Sequence, residues 1–179
     1  MIQVVLVDKK GKELGLMEKL GAHQNPGRLH KAVSVVLYKK TGKRVEVLLQ
    51  KRAKAKLLWP GYWANTVCTH PLPGESNLDG AVRRLREEVG IVIKAEALRE
   101  LYSFYYQADY NQNLSEHELD AVVVGEYNGK YLGNLEEVDD LRWLEWRDLM
   151  HEMVEKPDCF TPWFKTLVKE KRFQRELNV

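Results

Sequence analysis

The sequence predicts an α+β domain: a mixed β-sheet with one central helix and helices at the C-terminus, spanning residues 1–179 as a single unit. Three observations carry this. β-branched runs separated by turn signals fill the first third. One strongly periodic helix interrupts them. Further strands and then helices follow, with no regular βαβ alternation. With 179 residues, 44% of them hydrophobic, the chain can bury a sizeable core. No linker is long enough to divide it.

The elements follow in order. IQVVLVD (Ile2 to Asp8) reads as a strand and KKGKE as a turn. LHKAVSVVLY (Leu29 to Tyr38) and RVEVLLQKR (Arg44 to Arg52) are β-branched runs joined by KKTGK, a hairpin. AKAKLLWPGYW is irregular, and NTVCTHPLPGES reads as a Pro/Gly loop. In NLDGAVRRLREEVG, Leu78, Val82, Leu85 and Val89 recur at helical spacing. Asn77 is placed to cap that helix and Gly90 to end it. LYSFYYQ and EHELDAVVVGEY are strands, NGK is a turn, and LRWLEW is the last strand. WRDLMHEMVEK and TPWFKTLVKEKRFQREL read as the C-terminal helices.

Composition excludes several roles. The net charge is +2, so no strong field points to nucleic acid or a membrane surface. No apolar run approaches the ~20 residues of a membrane span, and no basic segment precedes an apolar one at the N-terminus. The two cysteines, Cys68 and Cys159, are too few for a disulfide framework and fit a reducing, cytoplasmic setting.

Cys68 and His70 stand two apart after the aromatic run WPGYW. A metal site, a nucleophile and a buried structural pair are all open there. The helix that follows carries RRLREEVGI (Arg83 to Ile91), which resembles the end of the Nudix box, G-x5-E-x7-R-E-U-x-E-E-x-G-U. Aligned so, Glu75 takes the first glutamate. Arg84 stands where a glutamate is expected and Thr69 where the first glycine is. In Nudix hydrolases those acids hold the divalent metal. An arginine there repels a metal and suits a phosphate oxygen. The plain alternative is i,i+4 surface pairing, Arg83–Glu87 and Arg84–Glu88, at ~0.2–0.5 kcal/mol each.

His23 and His30 lie in AHQNPGRLH, a loop running into a strand. Glu116 and Glu118, two apart in a strand, share one face. Two carboxylates there repel unless a cation or a shared proton lies between them. With His70 they form a set that suits a borderline divalent ion with one position open. His-x6-His alone is not diagnostic. His117, on the other strand face, and His151, on a charged helix, receive no role.

Taken together, MEKLGAHQNPGRLHKAV, KRAKAKLLWPGYWANTVCTHPLPGESN, AVRRLREEVGI, YYQAD, LSEHELD and FTPWF resemble the type 1 isopentenyl-diphosphate isomerases, from about residue 14 to 165. The resemblance implies a Nudix-like fold whose box departs at Arg84 as this chain does. It implies metal ligands at His23, His30, His70, Glu116 and Glu118, holding one divalent ion (Mn²⁺, Zn²⁺ or Mg²⁺). It implies a catalytic thiol at Cys68 and a catalytic acid/base at Glu118. An active-site tyrosine falls on Tyr106, ten residues before Glu116, with Tyr105 competing. Trp163 faces the substrate, and Lys19, Arg52, Lys56 and Arg84 grip the diphosphate. A second ion, Mg²⁺ held with that diphosphate, falls on Glu88 and the backbone carbonyl of Cys68.

The implied reaction interconverts isopentenyl and dimethylallyl diphosphate, small-molecule partners, through a tertiary cation. An alkene is a poor base, so the acid must be strong and held close. Cys68 alone reads as an inert small hydrophobe; beside His70 in a polar stretch it reads as an acid/base. An indole face at Trp163 stabilises a cation without trapping it; its plain reading is helix-packing core. KRAKAK reads otherwise as a solvated loop or a weak nucleic-acid patch, and the near-neutral net charge argues against the patch. Two rival functions remain: a Nudix pyrophosphohydrolase, which needs the glutamate that Arg84 replaces, and a non-catalytic binding module, which needs no Cys68.

Overall fold

The computed structural model describes residues 2–179. Its organising strand is β3 (His30–Thr41). From Ala32 to Tyr38 every β3 residue is buried, because both faces of the strand are covered. β3 and β4 (Arg44–Arg52) form the expected hairpin, pairing Tyr38 with Val47 through Thr41 with Arg44. Below Tyr38 the two strands part. Thr66 fills the gap: its hydroxyl accepts from Leu37 N at 2.8 Å and donates to Leu48 O at 2.6 Å. Two short strands take the freed edges, β5 (Trp63–Ala64) on β4 and β6 (Val67–Thr69) on β3. On its other side β3 runs parallel to β8 (Ser115–Glu126), which pairs with β7 (Arg99–Asp109). β1 (Gln3–Val7) and β2 (Glu13–Glu18) extend the sheet beside His30, and β9 (Val138–Glu145) lies on β4.

The mixed sheet is covered on both sides, as the α+β reading expects. α2 (Asn77–Val89) packs Ala81, Leu85 and Val89 on the face of Val33, Val35, Ala121 and Val123. α3 (Trp146–Glu155), α4 (Pro162–Leu167) and α5 (Lys171–Leu177) cover the face of Val36, Val122, Val124 and Phe104. Each fully buried Leu, Val or Phe contributes roughly 1.5–3 kcal/mol. Among the described residues no helix is long and apolar enough to cross a membrane.

Several local expectations need correction. The first strand is shorter than Ile2 to Asp8, and β2 is an additional strand. Its Leu14 and Leu16 are exposed, so no buried face marked it in the sequence; the ladder with β1 makes it. The segment before His23 is a short helix, α1 (Lys19–His23), whose cap Glu18 accepts from Leu20 N and Gly21 N at 3.0 and 2.9 Å. α2 is capped by Ser76, whose Oγ accepts from Asp79 N at 3.1 Å, and not by Asn77, whose amide donates to Glu100. Gly90 ends the helix in the left-handed region, φ 65°, as expected. Cys68 lies in strand β6 and not in the loop, which begins at His70. The last helix is two, because the polar run KEKR separates the anchors Leu167 and Phe173.

Candidate active site

Sheet register assembles the site. β3 places His30 beside Glu118, and β7 places Tyr106 opposite Glu118. β6 pairs Cys68 with Ser34, and His70 follows two residues on. α1 presents His23 at its last position. His23, His30, His70 and Glu118 thereby bring one donor atom each within 4.8 Å of one another. Glu116 shares the face of Glu118 but stands outside this group; its Oε2 accepts from the Tyr106 hydroxyl. Four of the five expected ligands therefore come together.

The donor set fits a divalent ion. Nδ1 of His23 lies 2.8 Å from Lys19 O, and Nδ1 of His30 lies 2.6 Å from Arg28 O. Donating Nδ1–H to those carbonyls leaves each Nε2 with a lone pair. His30 Nε2 and His70 Nε2 are 3.1 Å apart, and Glu118 Oε1 is 2.9 Å from His70 Nε2. Facing nitrogen lone pairs beside a carboxylate are what a cation stabilises.

Burial shapes the protonation states. It lowers the His70 pKa to about 3 and also lowers that of His23, favouring neutral imidazoles. The two carboxyls are driven apart. Burial and then the Glu118 charge hold Glu116 well above the usual carboxylate range. Burial acts the same way on Glu118, but the closeness of His30 and His70 outweighs it and holds Glu118 well below. Tyr106 links the pair: its hydroxyl also lies 2.8 Å from Glu118 Oε2. Tyr105 points to the opposite face, where its hydroxyl meets His117 Nε2 at 2.5 Å.

Cys68 borders the same cavity as these acids. Its Sγ is 3.1 Å from Asn65 Oδ1, 2.9 Å from the Trp163 indole nitrogen and 4.0 Å from Ser34 Oγ. Burial, then the charge of Asp120, pushes its thiol pKa up. Cys68, Tyr106, Glu116, Glu118 and Trp163 all line one cavity of ≈ 510 Å³.

Cations line the same cavity. Burial lowers the Lys19 pKa, and so do Lys56, Arg84 and Arg52, so the four charges converge. Arg84 pairs with Glu88 and Glu137, and Lys56 also pairs with Glu137. Arg52 donates to the carbonyls of Leu58 and Trp59 and stacks over Trp163 at 5.2 Å. It therefore shapes the 58–61 turn as well as facing the cavity. Both expected i,i+4 pairs form, but neither is a plain surface pair. Arg83 makes two 2.8 Å bonds to Glu75, and Glu88 is buried at 1% exposure. Glu88 accepts from Arg84 at Oε1 and from Gln50 at Oε2.

Sequence reasoning missed four polar groups here. Asn65 touches both Cys68 and Trp163. Ser34 donates to Asp120 at 2.7 Å, and Glu137 occupies the cation cluster. Asp120 was legible by period two after Glu116 and Glu118, and Ser34 as a polar residue inside an apolar run; Asn65, beside Thr66, carried no such mark.

The mixed sheet with its box-like helix belongs to the Nudix class: the NUDIX domain family matches residues 28–164. The solved structure of a Deinococcus radiodurans protein superposes with a TM-score of 0.74 at 18% identity, covering 93% of this chain and 97% of that one. The NUDIX domain of Shewanella oneidensis NrtR, complexed with ADP ribose, gives 0.63 at 15%, covering 83% and 87%. These share the fold. Sequence relatives are narrower. The isopentenyl-diphosphate Delta-isomerase of Photobacterium profundum is 44% identical over 93% of this chain and 92% of its own length. That of Aliivibrio fischeri is 42% identical over 93% of each. Isopentenyl-diphosphate Delta-isomerase 2 of Aromatoleum aromaticum is 35% identical over 98% and 89%. The chain belongs to the isopentenyl-diphosphate Delta-isomerase family of NUDIX-domain proteins.

Proposed function

We propose that the protein interconverts isopentenyl diphosphate and dimethylallyl diphosphate by proton transfer at carbon. The observation that carries this is the pairing of two proton-bearing groups, Cys68 and the Tyr106–Glu118 couple, around one cavity that also holds Trp163 and a cation cluster. A proton added to the terminal CH2 makes a methyl group and leaves a tertiary cation at C3. Loss of a C2 proton to the second group forms the new double bond. Cys68 and Glu118 take opposite parts, and they exchange parts in the reverse reaction. The Trp163 ring borders the cation, offering attraction without a nucleophile. Lys19, Arg52, Lys56 and Arg84 hold the diphosphate by charge-assisted bonds, which opposes its loss as an allylic leaving group.

His23, His30, His70 and Glu118 would hold one divalent ion, Mn²⁺, Zn²⁺ or Mg²⁺, with Glu116 beside them through Tyr106. Such an ion would supply positive charge that strengthens the acid attached to it. Mg²⁺ with the diphosphate would fall near Glu88 and the Cys68 carbonyl. The chain acts as a single domain, and its two free cysteines support a cytoplasmic setting.

The test follows hydrogen. In D2O the product dimethylallyl diphosphate is expected to carry deuterium in its new methyl group, seen by NMR, with no phosphate release above background. Phosphate release without deuterium in carbon would establish a hydrolase. A second test concerns Glu137, whose carboxylate occupies the cations meant for the diphosphate. Glu137→Gln is expected to tighten binding of inorganic pyrophosphate about two- to fivefold by calorimetry, the scale of a partly exposed charge pair. Weaker binding would mean that Glu137 positions Lys56 and Arg84 and does not compete with the ligand.

A further inference from the structure

We infer that Asn65 is a positioning residue: its carboxamide holds the Cys68 thiol and the Trp163 indole in one fixed mutual geometry. Its side chain has both donors and its acceptor committed. Nδ2 donates to Val35 O at 3.1 Å and to Val67 O at 2.8 Å. Two carbonyls can be met only by the nitrogen end, so the orientation of the amide is fixed by chemistry. Oδ1 must then face the other way. There it accepts from Cys68 Sγ at 3.1 Å and from Trp163 Nε1 at 3.1 Å. The indole N–H also lies 2.9 Å from Sγ, which closes a three-residue set.

Asn65 is fully buried and does not border the cavity, whereas Cys68 and Trp163 do. It therefore reaches the reacting carbons only through them. Its own backbone is held in turn, because Thr66 bridges Leu37 and Leu48 where β3 and β4 part. The amide thus ties the sheet, at Val35 and Val67, to a helix residue 98 positions away. A hydrophobic side chain of equal size would fill the space but would take one donor from each carbonyl and leave the indole N–H with Cys68 Sγ alone.

This rests on the isomerase reading of Cys68 and Trp163. Proton transfer at C2 and shielding of the cation both need these groups held closely, and a misplacement near 1 Å can cost about 10²-fold. Asn65→Ala leaves room for water to meet the two carbonyls. It is expected to lower kcat by about 10²-fold, with KM and affinity for inorganic pyrophosphate within about twofold. The Trp163 indole N–H resonance should move upfield. In a Cys68→Ala background the same change should cost clearly less than in the parent, because one of its two routes to the reaction is gone and only the Trp163 contact remains. A kcat within threefold of the parent would overturn the proposal, as would a loss confined to KM or full additivity with Cys68→Ala. If Asn65→Ala does not fold, Cys68→Ala supplies the readout. Its indole N–H should remain protected from solvent exchange by Asn65 Oδ1, and rapid exchange would overturn the geometry. A parent protein that does not isomerise would refute the proposed function instead, while leaving the indole measurement valid.

Discussion

Cys68→Ala and Glu118→Gln are each expected to lower turnover by roughly 10²–10⁴-fold, the usual contribution of one proton-transfer group. The two losses should differ in kind. Cys68 touches Asn65, Trp163 and Ser34 and lies outside the His/Glu group, so alanine there removes a proton carrier and little else. Binding of inorganic pyrophosphate should hold within about threefold, because Lys19, Lys56 and Arg84 are untouched. Glu118 is bonded to His70 at 2.9 Å and to Tyr106 at 2.8 Å. Glutamine there also weakens the ion site, so metal content and turnover should fall together. Tyr106→Phe should cost less than either, since Glu118 keeps its histidine contacts. Rates measured by NMR of product formation check the series. A Cys68→Ala protein that isomerises at a near-normal rate would leave the thiol a structural role and favour a single acid/base at Glu118.

Much of the architecture was readable because period carries it. Leu78, Val82, Leu85 and Val89 at helical spacing mark α2, and all four pack on the sheet face that α2 covers. Period two put Glu116 and Glu118 on one face, and both meet Tyr106. The same rule applied one step further would have added Asp120. What period cannot carry is pairing across the chain. Ser34 and Asp120 are 86 residues apart, and Asn65 and Trp163 are 98 apart. Nor does spacing alone bring His23, His30 and His70 together. α1, the splay of β3 from β4 and the β6 edge do that, and the first two left no periodic mark. Family resemblance supplied the grouping that local physics could not. It also supplied a list without relations: it named Cys68 and Trp163, but not the amide that joins them, and the pairing of Arg84 with Glu88 came from i,i+4 spacing instead.

Those relations bear on the metal. Dialysis against a strong chelator is expected to abolish turnover and to lower thermal stability. At a hundredfold excess of ion over its Kd, bound metal contributes about 2.7 kcal/mol, which for a chain of this size corresponds to roughly 5–10 °C in Tm. Metal analysis should find one ion per chain. His30→Ala should reduce that to less than half, since His30 is buried and its Nε2 faces His70 at 3.1 Å. Cys68→Ala should leave it near one. The sharper comparison is between the two glutamates. The sequence placed both in the ligand set, whereas the structure gathers Glu118 with the histidines and turns Glu116 toward Tyr106. Glu118→Gln should therefore empty the site, and Glu116→Gln should leave most of the ion in place while altering the Tyr106 hydrogen bond. Full activity with no bound ion would refute the site altogether. A Glu116→Gln protein as empty as His30→Ala would return Glu116 to the ligands, and would show that its carboxylate leaves Tyr106 when the ion binds.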